Sequence, residues 1–95
     1  MITVVAKSIV KDGKKNEYLK LVGELIAKSQ KEDGCIAYNI YEERKNPNIL
    51  TFIEHWRDKD ALTAHGQSEH FTAIFPQLQP LQEKETEIIL YNKLI

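Results

Sequence analysis

Four segments of the chain have the composition or the two-residue apolar period of a β-strand. The first, Met1–Val10, is apolar on both faces and rich in β-branched residues, which favour strands. Cys35–Glu43 and Ile49–Trp56 alternate and are separated by the polar turn Arg44–Asn48, which predicts a hairpin of long strands. Glu87–Leu94 alternates again and predicts the last strand.

A helical period separates the first two strands. Apolar residues recur there at three- and four-residue spacing, while Lys and Glu fill the positions between them. Asp12 or Gly13 is the expected cap at the start of this helix. Gly34 can take the positive-φ conformation that closes a helix and begins a turn. The apolar stripe comprises Tyr18, Leu21, Val22, Leu25 and Ile26.

Two shorter helices are expected between the third strand and the last. Asp58 can cap a helix over Lys59–His65, which Gly66 ends. Ser68 can cap a second helix, which Pro76 should kink or shorten. The apolar stripe of the second helix comprises Phe71, Ile74, Phe75 and Leu78.

The resulting order β-α-β-β-α-β is the split βαβ pattern of ferredoxin-like α+β domains, with helices on one face of an antiparallel sheet. We expect one such domain over residues 1–95. Because several strands are apolar on both faces, the face without helices should pack against a second copy of the chain. The sequence therefore predicts a homodimer.

Length and charge narrow the function classes. Ninety-five residues, 42% of them hydrophobic, suit one small core and cannot hold a (β/α)₈ barrel or a kinase. Thirteen Lys and Arg balance fourteen Asp and Glu without a basic block, so no nucleic-acid partner is expected. Lys7 interrupts the apolar start, which lacks a cationic leader, so we expect no membrane association and a cytoplasmic protein. The single Cys35 is expected to be a small buried thiol rather than a nucleophile.

All three histidines lie between residues 55 and 70. Histidine exchanges protons near neutral pH, which makes His65 and His70, at the break between the two short helices, the first acid-base candidates. A hydrogen-bonded structural role is the competing interpretation for both, and more so for His55 on its strand. No metal site is expected, because His65 and His70 are five residues apart and no carboxylate completes a ligand spacing.

The hairpin contributes further candidates. Trp56 and Phe52 share a strand face with Glu54, and a carboxylate between aromatic residues either pairs with a cation or has a raised pKa. Glu54 is therefore either a structural group or a proton acceptor. Tyr38 and Tyr41 point to opposite faces of their strand, so one should line a pocket and the other should join the dimer interface. Glycine-rich phosphate loops, dinucleotide fingerprints and nucleophile elbows are absent from the sequence, so an enzyme built on this chain would work without a large bound cofactor.

Together these features resemble the antibiotic biosynthesis monooxygenase domain, a family that includes small quinol monooxygenases. The resemblance covers essentially the whole chain. The features that carry it are the strand Phe52–Trp56, the turn Asp58–Leu62 leading into a helix, His65 followed by Ser68–Phe71, and the turn Asp33–Cys35 before Tyr38.

The resemblance implies a cofactor-independent monooxygenase, in which a deprotonated quinol or polycyclic phenol itself supplies electrons to O2 and no flavin, haem or metal takes part. The residues matching the family's site are His65, His70 and Trp56, with His65 as the base and His70 or Trp56 as an orienting donor. The expected substrate-binding residues are Tyr38, Phe52, Glu54, Phe71 and Phe75.

Relatives of the family offer other functions. In the haem-degrading branch the matching places fall near Lys7, His65 and Phe75, and none carries the residue that haem degradation uses. The branch acting on phosphorylated autoinducer-2 also has two histidines in the pattern of His65 and His70, which leaves an isomerase-like proton transfer open. A dimeric small-molecule-binding module without turnover also stays open.

Overall fold

One antiparallel sheet with helices on one face forms the framework, which confirms the predicted ferredoxin-like α+β fold. The computed structural model describes residues 1–95. The strands lie in the order β2-β3-β1-β4, so β3 and β1 are central. The last strand ends at Asn92, two residues before the predicted end. The strands are β1 (Ile2–Ile9), β2 (Cys35–Glu42), β3 (Ile49–Trp56) and β4 (Glu87–Asn92).

The register of the sheet decides which residues reach the helices. Strand β3 alternates strictly, so Phe52, Glu54 and Trp56 are buried on the helix side. On β1 the same face carries Val4 and Ala6, each 5% exposed. A register irregularity between Cys35 and Ala37 interrupts the pairing of β2 with β3 and leaves Ile36 58% exposed.

Three helices cover that face: α1 (Lys15–Ser29), α2 (Lys59–Gly66) and α3 (Glu69–Leu78). Both predicted caps of the short helices are confirmed: Asp58 accepts from the Ala61 N–H at 2.9 Å, and Ser68 accepts from the Phe71 N–H at 3.2 Å. None of the helices combines the length and apolar content needed to cross a bilayer.

The predicted cap of α1 is wrong, and Pro76 does not shorten α3. The residue that caps α1 is Lys14, without a side-chain hydrogen bond. Asp12 instead accepts from Asn48 Nδ2 at 2.7 Å, because the β2-β3 turn packs beside it. Helix α3 continues through Pro76 to Leu78, where a 3₁₀ turn follows. Burial of Ile74 and Leu78 against the core holds this last turn in place despite the missing N–H.

The core lies between the sheet and the helices as one cluster of fourteen buried residues. Trp56, Leu25 and Leu78 at its centre are 0% exposed. A buried polar network joins the chain before β4 to this core, since Tyr18 Oη donates to Gln82 Oε1 at 3.2 Å. The Ser8 and Thr86 hydroxyl oxygens, 3.0 Å apart, continue that network.

The other face of the sheet carries no helix and is rich in apolar side chains. Tyr41 and Tyr91 there are 51% and 50% exposed, and Ile89 is 42% exposed. The strand alternation places Val5, Ile9, Ile49 and Ile53 on the same face. We call this surface the open face.

The packing of α1 gives a direct stability test. Replacing Leu25, which is 0% exposed, by Ala should lower the free energy of unfolding by about 2–5 kcal/mol, because it leaves a cavity in the core. Leu19→Ala on the same helix, where the side chain is 38% exposed, should cost less than about 1 kcal/mol. Urea denaturation followed by Trp56 fluorescence measures both. Equal losses would contradict the assigned core face of α1.

Candidate functional site

A cavity of about 250 Å³ opens between the sheet and the short helices. Nine of its twelve lining residues are hydrophobic, so a bound molecule would be surrounded mainly by apolar and aromatic side chains. Six of the eight site residues expected from the sequence line it: Tyr38, Phe52, Glu54, His65, Phe71 and Phe75. The other lining residues are Val4, Ala6, Leu62, Gly66, Ile88 and Leu90.

His65 is the polar group at the helix side of this cavity. It lies one turn after Ala61 on the buried face of α2 and is 2% exposed. Its ring is enclosed by three aromatic rings, with centroid separations of 4.6 Å to Trp56, 4.8 Å to Phe71 and 5.1 Å to Tyr38. Burial lowers the pKa of His65, and the hydrogen bond to Glu32 opposes that shift only in part.

Glu32 fixes the orientation of this ring. Its Oε2 lies 2.6 Å from His65 Nδ1, and because an ionised carboxylate only accepts, Nδ1 carries the proton. The second ring nitrogen, Nε2, is then a bare acceptor, and it is buried without any hydrogen-bond partner. A buried polar atom without a partner is costly and rare, so Nε2 is the atom of this site most in need of a donor.

Glycine makes the approach of the Glu32 turn to α2 possible. Gly34 has φ +82°, and a Cβ added there would lie 2.5 Å from the Ala61 Cβ. Any larger residue would strain the backbone and push the turn away from α2. The positive φ predicted for Gly34 is confirmed, but α1 already ends at Ser29, so Gly34 shapes the following turn rather than closing the helix. The consequence is the contact between Glu32 and His65.

His70 lies outside the cavity, on the other side of Glu32. Its Nε2 is 2.9 Å from the same Glu32 Oε2, so one carboxylate oxygen joins both imidazoles. The His70 side chain is 16% exposed and lines a separate surface groove of about 290 Å³. His65 and His70 are therefore brought together through a third residue rather than by direct contact.

Glu54 is a second titratable group of the cavity. Trp56 Nε1 donates to its Oε1 at 2.9 Å, so Trp56 orients Glu54 from within the core and does not line the cavity. Burial raises the pKa of Glu54 to about 7, although the Trp56 hydrogen bond acts against it. Burial also raises the pKa of Tyr38, with the charge of Glu54 adding to the effect, so Tyr38 stays a neutral phenol.

Glu32, His65 and His70 supply the donor set of a metal centre, with ligand atoms within 4.8 Å of one another. The expectation that no carboxylate joins the two histidines is therefore wrong. The separations of 2.6 and 2.9 Å are hydrogen-bond lengths, however, shorter than the roughly 3.3 Å between neighbouring ligands of a tetrahedral zinc ion. His65 Nε2 also lacks the acceptor that a metal-bound imidazole normally has. The geometry favours a proton-sharing cluster.

Sequence reasoning missed Glu32. The residue lies in the turn after α1, 33 positions before His65, and no local spacing connects the two. Only the fold of the chain brings the turn after α1 beside α2. Of the two tyrosines left open by the sequence, Tyr38 lines the cavity, while Tyr41 lies on the open face. His55, also on the open face, bonds through Nδ1 to Thr3 Oγ1 at 2.9 Å.

The chemical capacity of the site follows from these positions. A flat apolar molecule carrying a hydroxyl group can lie among the aromatic rings with its O–H directed at His65 Nε2. Glu54, with a pKa of about 7, can donate or accept a proton in the same cavity. The site thus combines an apolar binding surface with two proton-exchanging groups.

The raised pKa of Glu54 makes stability depend on pH. Between pH 4.5 and about 7 the folded chain keeps a proton that the unfolded chain releases, so stability falls as pH rises through this window. The penalty reaches about 3 kcal/mol at pH 8, from about 1.4 kcal/mol per pKa unit. Glu54→Gln should remove it and gain stability over the wild type above pH 7, measured by urea denaturation from pH 5 to 8.

Glu43→Gln, which removes one exposed carboxylate from the β2-β3 turn, is the matched control. The lowered pKa of His65 contributes the opposite slope below about pH 6.5 and is present in all three proteins. The difference between Glu54→Gln and wild type therefore isolates Glu54. A constant difference across the pH range would contradict the burial of an ionisable Glu54.

Comparison with known proteins shows the family of this chain. The sequence profile described as "Antibiotic biosynthesis monooxygenase" matches residues 1–77. A Synechocystis protein of uncharacterized function is 38% identical over 90 residues, which are 94% of this chain and 61% of that protein. The chain thus spans less than two thirds of that relative's length.

Solved structures agree on the fold. A conserved protein from Methanosarcina mazei has a TM-score of 0.96 at 47% identity, covering 98% of this chain and 92% of its own. A crystal structure named as an antibiotic biosynthesis monooxygenase has a TM-score of 0.94 at 32% identity, covering 100% of both chains. With the profile match, the shared fold and these identities together, the chain belongs to the antibiotic biosynthesis monooxygenase family.

Proposed function

We propose that this protein is a cofactor-independent monooxygenase that oxidises a small quinol or polycyclic phenol with O2. The observation that carries the proposal is that His65, which lines an aromatic cavity, has its Nε2 buried without a hydrogen-bond partner. A phenolic O–H would satisfy this acceptor, and its transfer to Nε2 would create an electron-rich anion. Family membership and the relative named as a monooxygenase support the same reaction class.

The cavity suits a ligand of one or two fused rings. Its volume of about 250 Å³ lies just below the range of about 300–1,000 Å³ typical of drug-sized ligands. Phe71 and Phe75 stack with centroids 4.8 Å apart at one wall, and Phe52 lies at another. Such rings bind a planar molecule by stacking and keep water away from the anion.

The anion then supplies the electrons for oxygen chemistry. One electron passes to O2, the two radicals combine at a ring carbon, and the peroxide formed takes up a proton. Loss of that carbon's hydrogen with cleavage of the O–O bond leaves a carbonyl and releases water. For naphthalene-1,4-diol the balance is C10H8O2 + O2 → C10H6O3 + H2O, with one oxygen atom in the product and one in water.

Glu54 fits the second proton-transfer step of this scheme. Its pKa of about 7 keeps a large fraction protonated at neutral pH, so it can deliver a proton to the peroxide in an otherwise apolar space. The Trp56 hydrogen bond at 2.9 Å holds the carboxyl group in one orientation while it does so. Glu54 and His65 then act as acid and base on one ligand.

The same pair of groups supports one second candidate, an isomerase that moves a proton between carbon atoms of a small carbonyl compound. His65 and Glu54 would serve as base and acid without oxygen. A phosphorylated sugar is the less suitable ligand, because no Lys or Arg lines the cavity to pair with a phosphate. Consumption of O2 separates the two reactions, and absence of both would leave a small-molecule-binding module.

Removal of the base tests the oxygenase proposal. With naphthalene-1,4-diol as probe, His65→Ala should lower the rate of O2 uptake above the protein-free background by about 10²–10⁴-fold, because the phenol keeps its proton. An oxygen electrode measures the rate. His55→Gln on the open face is the control and should retain wild-type uptake.

Folding of the His65 variant is checked by Trp56 fluorescence and urea denaturation. A folded His65→Ala protein with undiminished O2 uptake would remove His65 as the base. Wild-type protein that accelerates no uptake with quinol or phenol probes, yet isomerises a small carbonyl compound, would favour the second candidate.

We also propose that a second copy of the chain covers the open face. Exposed Tyr41, Ile89 and Tyr91 share this face with four further aliphatic residues, and burial of such a surface is the usual driving force for a stable dimer. The second subunit would supply the apolar burial that a sheet covered on one face lacks.

Mass in solution tests the dimer. Sedimentation equilibrium at micromolar concentration should give twice the chain mass of 11.0 kDa. Ile89→Lys, which places a charge in the open face, should shift the protein to monomer, because an unpaired charge is costly to bury. Leu19→Lys on the exposed side of α1 is the matched control and should stay dimeric. A wild-type monomer would contradict the proposal.

A further inference from the structure

The cavity and the outer surface of the helices are connected by one continuous hydrogen-bonded path. It begins at His65, whose side chain is 3% exposed and lines the cavity. It crosses Glu32 Oε2 through contacts of 2.6 and 2.9 Å. It ends at His70, which lines the surface groove beside Glu24 and Lys28 of α1.

The path provides a route out of the cavity for a proton accepted by His65. A proton accepted at His65 Nε2 gives an imidazolium enclosed by the rings of Tyr38, Trp56 and Phe71. Trp56 and Phe71 offer no site for the proton, and Tyr38 is a neutral phenol. Nδ1 on the opposite side of the same ring already touches a carboxylate. A proton entering at Nε2 therefore has one direct exit, through Nδ1 to Glu32.

We propose that Glu32 and His70 form a proton relay that connects the cavity base His65 with water in the groove between α1 and α3. This inference rests on the proposed function, because it assigns the route taken by the substrate proton. Glu32 and His70 do not touch the substrate in this scheme. They are positioning and relay residues that act through His65.

The proton steps balance without any redox change. The substrate O–H proton binds Nε2 of His65, and the Nδ1 proton passes to Glu32 Oε2. In the resting state His70 Nε2–H donates to Glu32 at 2.9 Å. Exchange with groove water converts His70 to its Nδ1–H tautomer, after which the Nε2 lone pair takes the proton from Glu32 and Nδ1 releases one to water. The reverse sequence returns a proton through His65 Nε2 to the cavity, replacing the one that Glu54 gives to the peroxide, and His65 then recovers its Nδ1–H tautomer.

The titratable and charged groups facing this path come from all the elements around it. Tyr38 of β2 and Glu54 of β3 face the cavity end. Glu24 and Lys28 of α1 and Glu69 of α3 line the groove at the outer end. Arg57 and Asp60 share a surface cavity with Glu32, so Glu32 itself has a second possible exit to water, which the experiment must distinguish.

The test is solvent exchange of the His65 Nδ1 proton, measured by NMR water-saturation transfer on ¹⁵N-histidine-labelled protein without substrate. The wild type should show His65 as the Nδ1–H tautomer. His70→Gln keeps an N–H donor for Glu32 but cannot pass a proton through a ring. It should leave the His65 tautomer unchanged and slow the exchange roughly tenfold or more.

One further variant and one internal reference complete the test. Glu32→Gln should abolish the tautomer preference of His65, because an amide can both donate and accept. His55 provides an internal reference in every sample, since it lies on the open face and its exchange should not change. Unchanged His65 exchange in His70→Gln would show that the proton leaves from Glu32 directly and would overturn the relay.

Turnover is measured separately. O2 uptake with naphthalene-1,4-diol should fall in His70→Ala and recover with added imidazole, which a purely structural role would not produce. If the wild type takes up no O2 while the exchange pattern holds, the proposed function fails and the relay stands. If uptake is present while exchange and imidazole leave His70 variants unaffected, the relay fails and the function stands.

Discussion

The hydrogen bond between Glu32 and His65 is the interaction on which the site depends. At 2.6 Å it places the proton on Nδ1 and leaves Nε2 as a buried acceptor without a hydrogen-bond partner. Its existence depends on the backbone, because the turn carrying Glu32 reaches α2 only where Gly34 has no Cβ to collide with Ala61. A local requirement for glycine at position 34 thus controls which ring nitrogen of His65, 31 positions away in the chain, carries the proton.

The apolar cavity shifts the pKa values of Glu54 and His65 in opposite directions, and both shifts serve proton transfer. Burial raises the pKa of Glu54 to about 7 and lowers that of His65, so an acid and a base coexist near neutral pH. Each shift costs stability. The core around Trp56, Leu25 and Leu78 offsets that cost, and Trp56 contributes twice because its indole also orients Glu54.

Much of the framework could be predicted from local patterns. Alternation in Ile49–Trp56 identified the buried face of β3, and the side chains of Asp58 and Ser68 marked the starts of α2 and α3. The long-range contacts could not be predicted. Glu32 meets His65 only because the turn after α1 packs against α2. Which neighbour of Glu54 becomes its hydrogen-bond partner depends on side-chain orientation. Hydrophobic periodicity predicts which face of a strand or helix is buried. A carboxylate oxygen shared by two side chains can be identified only from the three-dimensional structure.

The proposed chemistry predicts that the oxygen atom added to the product comes from O2. If the bound anion is the electron source, metal-free protein given naphthalene-1,4-diol under ¹⁸O2 should yield a hydroxyquinone with one ¹⁸O atom per molecule, detected by mass spectrometry, and His65→Ala should not. The second ¹⁸O atom should appear in water. A product oxidised without ¹⁸O, or labelled equally with the His65 variant, would contradict oxygenation in this cavity.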